Sequence, residues 1–406
     1  MQARRLSKWL TEQLVWRLYE SLPPVVDDVL KWRFPYILPF KNLRIPIVTL
    51  YGQTLIDGKM GTVIVAGDEH RVDYLCGRFF KDKPRREPLG KLPLWKVART
   101  LKQLRASADL TIAYADRLSA RLFFGREHLA VPVWVGAMLT IPEDIAELTR
   151  GNPSLKTDLR NVRRNNLSHE VTHSESDFET FYHTMYVPYI RNRHGEQARI
   201  QNFYKLRRCF HQGGLIWLMQ DGEPIAGAVF QQRNDVLRFL LLGTANGDLA
   251  RVKTGALAAL YFFIFKHAQE LRCKLIDLRG SRPSLNDGVL RYKLKWGAKL
   301  TERPDTRHYF LVQWNSFNSS VISFLSSTPL IFRDHDGLSA IYVIYSEKPV
   351  TSTEAWKVYH SKWIPGLQQL YLFATSGWEP GVSNPPHTHL LEATTVEHRD
   401  AGRLMK

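Results

Sequence analysis

The chain has 406 residues, 44% of them hydrophobic and 12% aromatic, which exceeds one ordinary core and excludes a disordered or low-complexity protein. Its formal charge of +17 favours an anionic partner, whether a phosphate-bearing carrier, tRNA, an acidic glycan or an anionic lipid surface. Three scattered cysteines, Cys76, Cys209 and Cys273, exclude a disulfide framework, and no apolar run of about 18 residues is present, so a cytoplasmic protein is expected.

Residues 1–40 read as an amphipathic N-terminal arm. Leu6, Leu10, Leu14, Val15 and Leu18 recur at helical spacing until Pro23 and Pro24, among basic side chains, so the arm either packs on the body or lies peripherally at the inner membrane face. Short β runs follow at 46–50, 61–66 and 72–80, then a helix at 92–104 and a buried strand at 108–115. Another strand is expected at 131–139, after which Ile141-Pro142-Glu143-Asp144 opens a helix with acids in its first turn. Residues 41–155 thus form a first lobe, with Pro153 at the seam.

The second lobe, 156–315, opens on a basic helix at 155–166, followed by a strand at 167–173 and helices at 177–191 and 200–210. Three apolar runs at 214–220, 225–231 and 236–242 are joined by Asp221-Gly222-Glu223-Pro224 and Arg233-Asn234-Asp235, which are hairpin turns. They predict an antiparallel meander. A helix at 252–272 then crosses to a strand at 274–278. Strands at 308–313 and 339–345 and a helix at 354–372 broken at Pro365 come next, with residues 316–406 forming a C-terminal extension whose tail beyond 376 frays.

The most specific stretch is Asp277-Leu278-Arg279-Gly280-Ser281-Arg282-Pro283, followed by Asn286-Asp287-Gly288-Val289-Leu290-Arg291-Tyr292-Lys293-Leu294-Lys295-Trp296-Gly297. With the order of elements around it, this resembles the FemAB/FemX-like, peptidyltransferase-type branch of the GNAT acyltransferase superfamily, over residues 168–313. Tyr292, Lys293, Trp296 and Gly297 fall on that family's aromatic-Lys-x-x-aromatic-Gly pattern. The resemblance implies an α+β (α/β) protein of two GNAT-like lobes, mixed sheets flanked by helices, with the first lobe degenerate. It also implies an N-acyltransferase that moves an acyl or aminoacyl group from a thioester or ester carrier to an amine of a cell-envelope or polysaccharide precursor. Acyl-CoA is the expected co-substrate, and nucleic acid is a partner only if the donor is aminoacyl-tRNA. No HExxH or paired-cysteine spacing occurs, so no metal is expected. The rival expectation is a non-catalytic basic module that binds nucleic acid or anionic lipid.

In a lobe of this kind the fourth and fifth strands splay apart and a carbonyl lies in the gap, where a backbone N–H can hold the developing oxyanion. Leu241 and Leu242 would border that slot. Arg251, Lys253, Thr254 and Gly255, at the mouth of the long helix, would meet the carrier's phosphates, with Thr254 standing where the acyl-CoA fingerprint has glycine. Lys293 lies four residues before the motif glycine and would neutralise or protonate the leaving group, with Tyr292 beside it as the second candidate. Asp277 would orient the amine or cap its turn. Arg279 and Arg282 would clamp an anionic substrate, and Tyr186, Tyr189 and Arg191 would line the acceptor pocket.

Overall fold

The computed structural model describes residues 44–392 apart from 57, 68, 126, 127, 151 and 304; the arm expected at 1–40 and the tail at 393–406 lie outside them. The described chain forms two compact units. One holds residues 137–279 and 295–298, and the other holds 44–136, 280–294 and 299–392. Strand pairing follows this division: Gly136–Thr140 pairs with Leu275–Asp277, whereas His308–Trp314 inserts between Leu110–Asp116 and Leu129–Pro132.

In the first of these units the strands run Gly136–Thr140, Leu275–Asp277, Val236–Thr244, Glu223–Arg233, Gly213–Gln220, Ser168–Thr172 across the sheet. The meander is present as expected, its turns made by Asp221, Gly222 and Asn234 at φ 52°, 86° and 53°. One face of the sheet carries a continuous helical run, Glu175–Thr180, a π-helical Phe181–Tyr186 and Val187–His194, together with Phe203–Phe210. Phe178, Phe181, Met185, Leu206 and Phe210 pack there on Leu215, Trp217 and Val229. Gly243 permits the approach, since a Cβ on it would lie 2.6 Å from the Met185 and Tyr186 backbone. The helix Ala256–Glu270 buries Ala259, Leu260 and Ile264, and its Tyr261 and Phe265 rings hold Trp296 at centroid distances of 5.6 and 5.0 Å.

The other unit has a six-stranded sheet in the order Arg85–Pro93, Arg44–Gln53, Met60–Ala66, Leu110–Asp116, His308–Trp314, Leu129–Pro132. One core joins Leu75, Phe79, Phe324 and Phe332 with Ile341 and Phe373, from the helices Glu69–Phe79 and Ser319–Ser327 and a second, four-stranded sheet. A separate core, around Val97 and Leu101 of the helix Leu94–Leu104, includes Ile64, Ala113 and Leu311. The four-stranded sheet runs Ile331–Arg333, Leu338–Ile344, Leu370–Ala374, Thr388–Glu392, the last three parallel, with the helix Ser352–Lys362 as a crossover.

Several expectations are corrected. Of residues 72–80, expected to be extended, all but Phe80 are helical, because Val72, Leu75, Cys76 and Phe79 bury one helical face. The helix expected to run to 372 stops at Lys362, and Leu370–Ala374 is a fully buried central strand. Thr388–Glu392 lies in a stretch expected to fray, yet it pairs along the whole of that strand. The helix expected over 252–272 is broken into Ala250–Lys253 and Ala256–Glu270.

Candidate active site

The strands Val236–Thr244 and Leu275–Asp277 are parallel neighbours at only three positions, Val236 with Leu275, Leu237 with Ile276 and Arg238 with Asp277. Past Asp277 the shorter strand follows its other neighbour, and Leu278 N–H donates to Ala137 O at 2.9 Å. From Phe239 to Thr244 the longer strand is left with an open edge among the described residues. Opposite that edge its register against Glu223–Arg233 slips between Phe239 and Leu241, which makes Leu240 a bulge.

The bulge decides which backbone groups face the opening. Gln232 N–H donates to Gln212 O at 2.8 Å, so residue 232 turns its backbone away from Val236–Thr244 and toward the preceding strand. Alternation gives Phe230, Ala228 and Ala226 the same sense, and the register with Gly213–Gln220 is unbroken there. Their cross-strand partners, Phe239, Leu242 and Thr244, accordingly turn their backbone groups to the open edge. Leu242 thus offers an N–H to the gap, while Leu240 and Leu241 pack against the aromatic cluster around Phe178 and Trp217.

At the point of parting lies an ionic cluster. Asp277 Oδ1 accepts Arg279 N–H at 2.7 Å, and its Oδ2 faces Arg279 Nη1 at 3.3 Å and Arg238 Nε at 3.9 Å. Arg279 takes φ 65°, a left-handed conformation held by that carboxylate cap. Asp277 is a turn cap here, and Arg279 is committed to it. Arg238, which sequence reasoning missed, pairs with Asp277 across the three-residue ladder and also donates to Gln231 Oε1 at 3.3 Å.

The helix mouth differs from expectation. Asp248 Oδ1 accepts Ala250 N–H at 2.8 Å and its Oδ2 pairs with Arg251 at 3.6 Å, starting the short helix Ala250–Lys253. Thr254 N–H closes that helix on Ala250 O, and Gly255 follows at φ 107°. The long helix begins only at Ala256, with no side chain capping it. Asn165 Nδ2 donates to Thr254 O at 3.0 Å, which brings the helix Pro153–Arg164 alongside this mouth. Its Lys156, Arg160, Arg163 and Arg164 are exposed.

Lys293, in the helix Gly288–Lys295, is not a surface lysine. It is 3% exposed, and its ammonium donates to Gly280 O at 2.8 Å and Ser281 Oγ at 3.0 Å. Tyr292, one residue away on the helix, is half-buried. Arg282 is stacked between Tyr74 and Trp134, 4.5 and 4.4 Å from the ring centroids. Tyr186 and Tyr189 are each 2% exposed and so do not line a surface pocket. The Tyr186 hydroxyl accepts Gln201 N–H at 2.9 Å, and burial pushes its phenol pKa up; the Tyr189 hydroxyl accepts from Arg193. Arg191 is exposed.

Antiparallel meander, bulge, crossover helix and a parallel strand that parts from its neighbour are together the arrangement of this unit's sheet. No protein-family model matches the chain, and neither does any curated protein. Among solved structures the chain is similar to L-PGS from Bacillus licheniformis, with 13% identity and a TM-score of 0.35 over 68% of this chain and 87% of that one. It is similar to FemX at 10% identity and a TM-score of 0.36, over 69% and 90%. It is also similar to a GCN5-related N-acetyltransferase from Kribbella flavida, at 16% identity and a TM-score of 0.24, over 62% and 80%.

Proposed function

We propose that the chain is an N-acyltransferase that passes an acyl or aminoacyl group directly from a thioester or ester carrier to a primary amine. The observation that carries this reading is the open edge from Phe239 to Thr244, with Leu242 N–H facing it beside a three-residue ladder. A carbonyl oxygen laid against that N–H is held as it becomes an oxyanion. The amine nitrogen bonds to the carbonyl carbon, the carrier's C–S or C–O bond breaks, and the proton shed by the amine ends on the departing sulfur or oxygen, with no bond to the enzyme at any stage. Arg238 and Asp277 tie the strands at the last rung of the ladder, Asp277 turns the chain away there by capping Arg279, and Lys293 fixes the Gly280–Ser281 turn, so all four are positioning residues in this scheme.

Acyl-CoA is the proposed donor, its pyrophosphate at the uncapped start of Ala256–Glu270 near the exposed arginines of Pro153–Arg164. The broken mouth at Thr254 favours a second donor, aminoacyl-tRNA, whose backbone would use the same basic helix. An amine of a cell-envelope or polysaccharide precursor is the proposed acceptor, on the resemblance of residues 277–297 to Fem-type enzymes. Calorimetric titration with acetyl-CoA, longer acyl-CoAs and charged tRNAs separates the donors. Binding of none of them, with the protein folded, refutes the reading.

A further inference from the structure

The helix Arg117–Phe123 packs on its sheet through Ser119, Ala120 and the adjoining Phe124. At about 100° per residue its outer arc carries Arg117 and Arg121 next to Leu118 and Leu122. Leu118 is 39% exposed, Leu122 62% and Phe123 38%, so three large apolar side chains of a seven-residue helix face solvent. The helix Leu94–Leu104 joins the same core through Val97 and Leu101. It turns outward Trp95, 57% exposed, together with Lys96, Arg99 and Lys102. Neither helix contains an acidic residue.

Arg117 and Arg121 also border a cleft of about 330 Å³ whose other walls include Arg333 and His335. Three nearby carboxylates have partners of their own. Asp116 caps its own helix at Leu118 and Ser119 N–H, Asp334 accepts the Tyr371 hydroxyl at 2.9 Å, and Glu302 pairs with Arg333 at 3.1 Å. The cleft wall thus carries three arginines, one of them paired with Glu302, against the single carboxylate of Asp334, a balance that favours an anion.

We infer that these two helices form a docking face for an anionic phospholipid surface, with a lipid phosphate held in the cleft by Arg117 and Arg121 and with Leu118, Leu122 and Trp95 in the interfacial layer. Cations alone would suit RNA or an acidic protein equally. The exposed leucines and tryptophan select the membrane, because apolar side chains beside lysine and arginine gain from the headgroup and acyl boundary and gain nothing from a phosphate backbone.

Vesicle sedimentation of the full chain tests it, with phosphatidylcholine alone and with phosphatidylcholine–phosphatidylglycerol mixtures at low and high salt. The wild type is expected to pellet with the mixed vesicles only. Arg117→Gln/Arg121→Gln should lower the partition coefficient about 30-fold at low salt and much less at high salt. Leu118→Ser/Leu122→Ser should lower it about tenfold or more at either salt, as should Trp95→Ser, with melting temperatures unchanged. Soluble glycerol phosphate should compete weakly, through the cleft alone. Partition equal to wild type in the leucine variant overturns the inference, as does RNA binding that needs the arginines but not the leucines.

Discussion

The open strand edge makes a prediction that separates its two faces by one residue. Proline removes a backbone N–H and little else where the chain is already extended, so its cost depends on which way that N–H points. Leu241 pairs with Val229 and lies one step out of phase with Leu242, so its N–H turns into the ladder, whereas Leu242 N–H faces the gap. Leu241→Pro should therefore cost about 3 kcal/mol or more of stability, read as a shift of the urea midpoint. Leu242→Pro should cost under about 1 kcal/mol, since it breaks no protein hydrogen bond and the residue before it is extended, as proline requires. If Leu242 N–H holds the developing oxyanion, the same variant loses about 100- to 1,000-fold in turnover, roughly 3 to 4 kcal/mol of barrier, with whichever carrier the titrations identify. Equal destabilisation by the two prolines would refute the facing argument. A folded Leu242→Pro protein with wild-type turnover would refute the oxyanion assignment.

Lys293→Met should destabilise by about 2–3 kcal/mol, because two charge-assisted hydrogen bonds to Gly280 O and Ser281 Oγ are lost while the stem is kept; an activity loss with an unchanged urea midpoint would instead mark a proton donor. Gly255→Ala should cost about 1–2 kcal/mol by thermal melting from backbone strain at φ 107° alone, since the nearest atom to the new Cβ, in Asn161, is 3.7 Å away. His169 stacks on Phe263 at 4.5 Å, and burial lowers its pKa below the usual histidine value. A depressed histidine contributes stability that is present above its unfolded pKa of about 6.5 and is lost as pH falls through the folded pKa. His169→Phe should accordingly flatten the drop in melting temperature between neutral and mildly acid pH, and an unaltered drop would mean that this ring does not drive it.

What could be read along the chain was what local pattern determines. The meander was legible because its three apolar runs are separated by Asp-Gly and Asn-Asp turns whose left-handed residues are cheap there. The stop at Thr254–Gly255 was legible too but passed over: a glycine just after a helical turn is the usual C-terminal signal, and apolar periodicity running through it hid the break. The strand Leu370–Ala374 followed a helix whose apolar run seemed to continue, and only full burial between two parallel neighbours separates the two readings. The bulge at Leu240 has no glycine to announce it, and the ladders that place Gly136–Thr140 and His308–Trp314 join segments far apart in sequence. Tyr186 and Tyr189 followed the helical pattern correctly, yet periodicity does not tell which side of a helix meets the core when both carry aromatics.

In the motif at 292–297 the side chains that carry the resemblance have structural partners. Lys293 is fastened to Gly280 and Ser281, directly after the parted strand. Lys295 pairs with Asp158 at 2.6 Å, and Asn152 Nδ2 donates to Lys295 O at 2.8 Å, which ties the basic helix to the motif. Trp296 is held by the Tyr261 and Phe265 rings of the long helix, and Gly297, at φ 86°, turns the chain beside Leu139. Lys293, Lys295, Trp296 and Gly297 thus each meet a different neighbour: the turn after the strand, the basic helix, the helix that leaves the open edge, and the strand beyond. These contacts are structural, and they would arise whether or not a motif side chain touched substrate. In the proposed transfer the chemistry is left to backbone N–H groups, which any residue can supply and which no side-chain pattern records.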